Sequence, residues 1–300
     1  MARVAVLGVG VMGRAMAERL LAAGHDLAAY NRDAGKLAPL AAAGARPCAS
    51  PAEAARNADA VVSMVADDDA SRAVWLGPDG ALAALAPGAL AIESATVSQD
   101  WMRNLGARAT AAGVFFLDCP VTGGPDGAQA GRLTLLVGGD KAALEAAWPI
   151  LRAYAERFFH FGPIGAGTAY KLVVNTIGAA QAVALAEGLL IAERAGLDPA
   201  TVAEAMDGGA VASPLVRYLL TRMTGGAHDD VYFAARWRHK DADYGLRLAR
   251  AVAQPAPVLE AATEAFARTL RAGLGDKNSS VVIDVLRDEA ARARARPPRL

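Results

Sequence analysis

Lys171 and Asn175 are the residues whose types and spacing point most directly to chemistry. They lie four apart near the start of an apolar stretch, residues 165–196, that reads as one long and largely buried helix. Residues at that spacing share a helix face, so an ammonium and a carboxamide project the same way. Burying an ammonium costs desolvation free energy, and a lysine kept in such a place is a candidate proton donor or acceptor. With an ordinary pKa of about 10.4 it is a ready acid; to act as a base near neutrality it needs burial or a neighbouring cation to bring that value down. A nucleoside-triphosphate loop is excluded, because Tyr170 stands where that motif needs glycine before the lysine.

A second group of residues could hold a phosphate. Gly8, Gly10 and Gly13 form G-x-G-x-x-G between a short apolar run and a stretch with Met12, Met16 and Leu20 at helical spacing. The first two glycines let backbone N–H groups approach a pyrophosphate at a helix N-terminus, and the third lets helix and strand pack closely. Strand, turn, helix and a second strand follow in order, so residues 3–30 read as a βαβ dinucleotide-binding unit, with Val11 and Met12 at the mouth of the turn. The second strand ends in Asn31 and Arg32, where an NAD enzyme usually places a carboxylate for the ribose. A guanidinium there favours a 2′-phosphate, which makes NADP the expected cofactor, with NAD as the alternative. Asp33 either opposes that phosphate or caps the following helix.

The elements that must position these groups alternate. Ser50, Pro51 and Glu53 mark a capped helix start, and apolar runs at 60–65, 89–93 and 115–118 read as strands separated by helical segments. This rhythm predicts a parallel sheet wound on both faces, with ligands at the loops after the strands: 64–69 with Val65 and Ala66, 94–98 with Thr96, and 119–128. Asp67, Asp68 and Asp69 read as a solvated turn and helix cap, and no histidine spacing suggests a metal. Two further strands, 133–137 and 158–161, flank a helix at 141–154. Beyond Gly165 the chain reads as helices at 199–206, 214–223, 237–253, 258–272 and 279–293, with Gly208, Gly225 and Gly275 as stops. The expected domains are 1–164, an N-terminal doubly wound α/β sheet, and 165–294, all-α and joined through the long helix; 295–300 form a frayed tail.

Lys+Arg and Asp+Glu are both 31 in 300 residues, so no basic excess calls for nucleic acid. Two cysteines, Cys48 and Cys119, and the absence of a secretory leader pattern predict a cytoplasmic protein. Lys171, Asn175, Gln181, Glu187 and Glu193 interrupt the long helix, which argues against a membrane span.

Several ordered motifs together resemble the β-hydroxyacid dehydrogenases, the group of 3-hydroxyisobutyrate dehydrogenase and tartronate semialdehyde (glyoxylate) reductase. GVGVMG opens the chain; DCPVTGGPDGA at 118–128 is similar to the family's substrate-binding motif, with Thr122 where serine is common. AGRLTLLVGGD at 130–140 follows, GAGTAYKLVVN at 165–175 is similar to the catalytic motif, and Lys240 with Asp241 to a late lysine motif. The resemblance implies a Rossmann domain followed by a helical one, and a hydride exchanged between NADP(H) and a small β-hydroxyacid or its semialdehyde. It implies Lys171 as general acid/base, Asn175 as a hydrogen bond to the reacting oxygen, and Thr122, Gly123 and Gly124 as a carboxylate site. Thr96 would lie against the nicotinamide and Lys240 near cofactor and substrate, and a homodimer or homotetramer is expected. Ser213 and Trp237 are further candidates for the pocket, while Cys119 reads as a small buried residue. Two alternatives are an imine reductase, whose members usually carry Asp or Tyr at the lysine position, and a non-catalytic dinucleotide-binding module.

Overall fold

The computed structural model of the chain describes residues 1–295, the side chains of 289–295 excepted. It divides into two compact units, Met1–Lys171 and the residues from Leu172 onward, so the division falls inside one helix. The expected tail overlaps this limit: Ala295 closes the last helix, and 296–300 lie outside the described residues.

In the first unit the chain runs β1 (Arg3–Leu7), α1 (Val11–Ala22), β2 (Asp26–Tyr30), α2 (Ala38–Ala42), β3 (Arg46–Pro47), α3 (Pro51–Ala55), β4 (Ala60–Ser63) and α4 (Asp68–Leu76). It continues through β5 (Leu90–Glu93), α5 (Gln99–Ala111), β6 (Phe115–Asp118), β7 (Val121–Thr122), α6 (Gly124–Gln129), β8 (Leu133–Gly139), α7 (Lys141–Leu151) and β9 (Ala155–Gly162). The strands form one sheet in the order β3-β2-β1-β4-β5-β6-β8-β7, with β9 paired to β8. From β3 to β6 every pairing is parallel. Strands buried on both faces need apolar residues at every position, and Val4, Ala5, Val6 and Leu7 of β1 are all buried. Alternate residues feed two cores, Val4, Val62, Ile92 and Leu117 on one side and Ala5, Val61, Ala91 and Phe116 on the other.

The sheet is mixed, not wholly parallel, because β8 is antiparallel to β6 and β7. A parallel return needs a crossover to the other end of the strands. Here the chain after β6 stays at the end where β6 finished, forming β7 against β8 and α6 against α1, so β8 starts at that end and runs back.

The helix α8 (Ala166–Arg194) spans both units, and α9 (Pro199–Asp207), α10 (Pro214–Gly225), α11 (Ala235–Ala251), α12 (Pro257–Arg271) and α13 (Val282–Ala295) complete the chain. The last helix starts later than the 279 expected from sequence, because Ser279–Val281 is a 3-10 turn. The stops also shift by one or two residues. Gly226, not Gly225, takes the left-handed conformation after α10, and Gly273, not Gly275, does so after α12. Ala179, Ala182, Ala186 and Leu189 of α8 enter the core of the second unit with Leu219 and Phe266.

The long helix is not buried all round. Ala179, Ala182 and Ala186 are buried, while Tyr170, Val173, Val174, Ile177 and Ile191 are exposed. Spacing of three and four puts the first four of the exposed residues on one face, leaving an apolar stripe uncovered in the single chain.

Candidate active site

The glycine turn is built for close approach. Gly8 has φ of +95°, which favours glycine, and a Cβ there would strike the Met64 backbone. A Cβ on Gly13 would strike the Gly8 carbonyl, so the start of α1 sits directly on the end of β1. Gly10 faces open space, and a Cβ there would have nothing within 4 Å. These residues fit a pyrophosphate drawn against the α1 N-terminus, where Val11 is exposed and Met12 half-buried. The loop after β4 carries Val65 and Ala66, both half-buried.

Asn31 and Arg32 divide their work. The Asn31 carboxamide oxygen accepts from the Val9 N–H at 2.8 Å, and its nitrogen donates to the Asp33 carbonyl at 2.9 Å. Asn31 therefore fastens the glycine turn to the end of β2, while Arg32 is exposed beside it. Asp33 accepts from the Gly35 N–H at 3.1 Å and caps the short turn that follows, the second of its two expected roles.

Thr96 is half-buried in the loop after β5. Two residues on, Ser98 accepts from the Trp101 N–H and heads α5. Among the three acids after β4, Asp67 is the cap of α4, accepting from the Ala70 N–H at 2.9 Å. Asp68 departs from the solvated reading: it is buried and accepts from the Ser98 N–H at 2.7 Å and the Ser98 hydroxyl at 2.6 Å.

Asp118, at the end of β6, is the residue the motif reading passed over. Its two oxygens accept from the Gly165 N–H at 2.9 Å and the Thr168 N–H at 2.8 Å, so a buried carboxylate caps the helix that carries Lys171 one turn later. Burial pushes this carboxyl above its ordinary value and the two N–H donors oppose the shift. The negative charge also complements the α8 dipole. Gly167 permits the approach: a Cβ there would strike the Leu136 carbonyl and lie 2.8 Å from the Gly138 nitrogen. An aspartate heading the DCPVTGG motif was the available signal.

After Cys119, which burial keeps a thiol, β7 leads into Thr122, Gly123 and Gly124. Gly123 and Gly124 have φ of +125° and +63°, and Gly123 heads α6. Positive φ at both positions favours glycine over any residue with a side chain. Thr122 and Gly123 line a cleft of about 500 Å³ shared with Asp126, Gly127, Arg132, Thr134, Glu156 and Arg157.

The second unit holds its own polar cluster. Asn175 is buried and donates to Asp241 at 2.6 Å; Lys240 lies 3.2 Å from the other oxygen of Asp241 and 5.2 Å from the centre of the Tyr244 ring. Arg238 stacks 4.4 Å from the Phe233 ring, and burial brings its guanidinium down to about 10 against the pull of Asp241. Asp241, which the late lysine motif contained without a role, thus orients Asn175 and balances two cations. Gly245 lets α11 meet α8 closely, since a Cβ there would strike Thr176. Ser213 spends its hydroxyl on the cap of α10, accepting from the Val216 N–H at 3.1 Å, and the Trp237 ring lies 5.8 Å from the Lys240 nitrogen.

Comparison with known proteins accounts for both units. A family model described as the NAD binding domain of 6-phosphogluconate dehydrogenase matches residues 3–162, and one described as NAD-binding of NADP-dependent 3-hydroxyisobutyrate dehydrogenase matches residues 165–286. Glyoxylate/succinic semialdehyde reductase 2 of Arabidopsis thaliana is 33% identical over 96% of this chain and 80% of its own. The NAD-dependent L-serine dehydrogenase of Pseudomonas aeruginosa is 34% identical over 94% of this chain and 97% of its own. Among solved structures, Mycobacterium tuberculosis 3-hydroxyisobutyrate dehydrogenase with L-serine superposes with a TM-score of 0.87 at 31% identity, covering 96% of this chain and 99% of that one. More remotely, an imine reductase of Pseudomonas sp. shares the fold alone, with a TM-score of 0.57 at 19% identity. Two family models in order along the chain, and relatives above 30% identity over most of their length, place this protein in the β-hydroxyacid dehydrogenase family.

Proposed function

We propose that the protein transfers a hydride between NADP(H) and a small β-hydroxyacid or its semialdehyde, with Lys171 as the general acid/base. The observation that carries this reading is the capture of the α8 N-terminus by Asp118, which fixes the helix bearing Lys171 to the strand end that leads into Thr122, Gly123 and Gly124. A bound nicotinamide dinucleotide supplies the hydride in reduction and takes it up in oxidation. Gly8, Gly10 and Gly13 would hold its pyrophosphate, Val65 and Ala66 would line the adjoining wall, and Thr96 and Lys240 would serve the nicotinamide end and the substrate. The substrate carboxylate rests on the Thr122 hydroxyl and the Gly123 and Gly124 N–H groups. In reduction Lys171 gives a proton to the carbonyl oxygen as hydride reaches its carbon; in oxidation it takes the hydroxyl proton. Asn175, held by Asp241, donates to the same oxygen.

NADP is favoured by exposed Arg32 and by Asp33 being engaged as a cap. One relative is NAD-dependent by name and one family model is NADP-dependent by description, so the preference rests on these residues. The relatives' substrates are the reason for the acid and semialdehyde class.

Lys171→Ala should abolish turnover across a panel of small β-hydroxyacids and semialdehydes, assayed with both nicotinamides, while leaving cofactor affinity nearly unchanged. Retained turnover removes the lysine from the reaction, and a lower Michaelis constant for NADH than for NADPH removes the NADP assignment. Turnover of a cyclic imine, with none on the panel, points to an imine reductase instead. The proposed location is the cytoplasm and the proposed assembly a homodimer or homotetramer, supported by the exposed apolar stripe on α8. Light scattering at micromolar concentration should give at least twice the chain mass; a monomer mass overturns the assembly.

A further inference from the structure

A buried acid that the proposed reaction does not use sits at the end of β5. Glu93 is fully buried. One of its oxygens accepts from the Ser71 hydroxyl at 2.5 Å and from the Trp75 indole N–H at 2.9 Å, both on α4. The other accepts from the Ala95 backbone N–H at 2.9 Å. Ser71 in turn accepts from the Trp101 indole N–H of α5 at 2.9 Å, so its hydroxyl is engaged on both sides. Three residues past Ala95, Ser98 is held by Asp68 through its N–H and hydroxyl. The short segment between β5 and α5 is thereby fastened to buried carboxylates at both ends, with Thr96 between them.

We propose that Glu93 is a positioning residue for the nicotinamide-facing loop, its carboxylate holding Ala95 and so setting the height of Thr96 above the strand ends. This rests on the reading that Thr96 meets the nicotinamide. The donor set demands an acceptor at each of the two oxygens. The Trp75 and Ala95 N–H groups can only donate, and they reach different oxygens. An amide in place of the acid must turn its own NH₂ toward one of them, whichever way it is flipped. A buried donor facing a donor is the costly case, so Glu93→Gln releases either Ala95 or α4.

The test compares dissociation constants for NADPH and for its nicotinamide-free fragment, 2′-phospho-ADP-ribose, by quenching of tryptophan fluorescence. NADH and ADP-ribose serve as the pair if NADH binds more tightly. Thr96→Ala and Glu93→Gln should each weaken the whole cofactor about tenfold while leaving the fragment unchanged, and the double variant should weaken it no further than either single one. Melting temperatures are read alongside. If Thr96→Ala leaves the ratio of the two constants unchanged, the placement of Thr96 fails, and the proposal with it. If Thr96→Ala changes the ratio and Glu93→Gln does not, the role of Glu93 alone is overturned. Equal weakening of cofactor and fragment together with a lower melting temperature also overturns it, since that is what a purely structural acid would do. Should Glu93→Gln fail to fold, Glu93→Asp, which keeps the charge but withdraws it by one methylene, takes its place with the same outcomes.

Discussion

Asp118 is the residue on which the placement of Lys171 depends. Its two oxygens each accept from a different backbone N–H at the start of α8, and an asparagine can offer only one acceptor. Asp118→Asn should therefore leave one buried N–H facing an NH₂ group and lower stability by about 1–3 kcal/mol, with a fall in kcat from displacement of Lys171. Denaturant melts and steady-state kinetics check this; a variant with wild-type kcat and midpoint would show that α8 is held by other contacts. Lysine and asparagine at a helical spacing were legible in the sequence, as was the glycine turn. The acids that orient these groups, Asp118, Asp241, Glu93 and Asp68, were not. A carboxylate in a sequence carries no mark of which donor it accepts from, and each partner here lies between 18 and 66 residues away, or is a local backbone N–H indistinguishable from its neighbours.

At the scale of the element, α8 contains glycines of opposite consequence. A Cβ on Gly167 would collide with the backbone of β8, whereas one on Gly188 would meet nothing within 4 Å. Intrinsic propensity makes alanine better than glycine in a helix by about 0.8–1.0 kcal/mol. Gly188→Ala should accordingly raise the melting temperature by a few degrees, and Gly167→Ala should lower both it and kcat, since α8 must back away from the sheet. Equal effects of the two substitutions in calorimetry would mean that the contact with β8 is not tight. The helix itself was visible from its apolar run, but its uncovered face was not: an apolar residue reads the same in a sequence whether it meets a core or solvent. The reversal of β8 was likewise hidden, because the pattern of a strand records burial and not direction.

At the scale of the whole molecule, one buried histidine links stability to pH. His228 approaches the Ser280 hydroxyl at 2.8 Å and Asp284 at 3.3 Å. Burial lowers its pKa below the ordinary 6.5, with Asp284 and Asp229 opposing and Arg287 and Lys277 adding to the shift. Because the folded state binds this proton less readily than the unfolded chain, its contribution to stability is present above pH 6.5 and is lost as the pH falls through the folded value. Melting temperatures measured downward from pH 7.5 should fall across that window, and the fall should be shallower in His228→Gln. An unchanged slope in the variant would assign the acid sensitivity to other groups.

The chain's own sequence determined its class: a glycine fingerprint between strand and helix, alternating elements and then helices alone, and ordered motifs around Thr122, Lys171 and Lys240, all follow from local pattern. Chemistry confined to a few neighbouring residues is written locally and can be read locally. Only the tertiary structure decided how the segments bearing Lys171 and Thr96 are held, because Asp118 reaches the start of α8 from the end of β6 and Asp68 reaches Ser98 from the head of α4. Such pairings exist only once the sheet has assembled, when desolvation makes an unpaired donor costly enough to fix each loop in place.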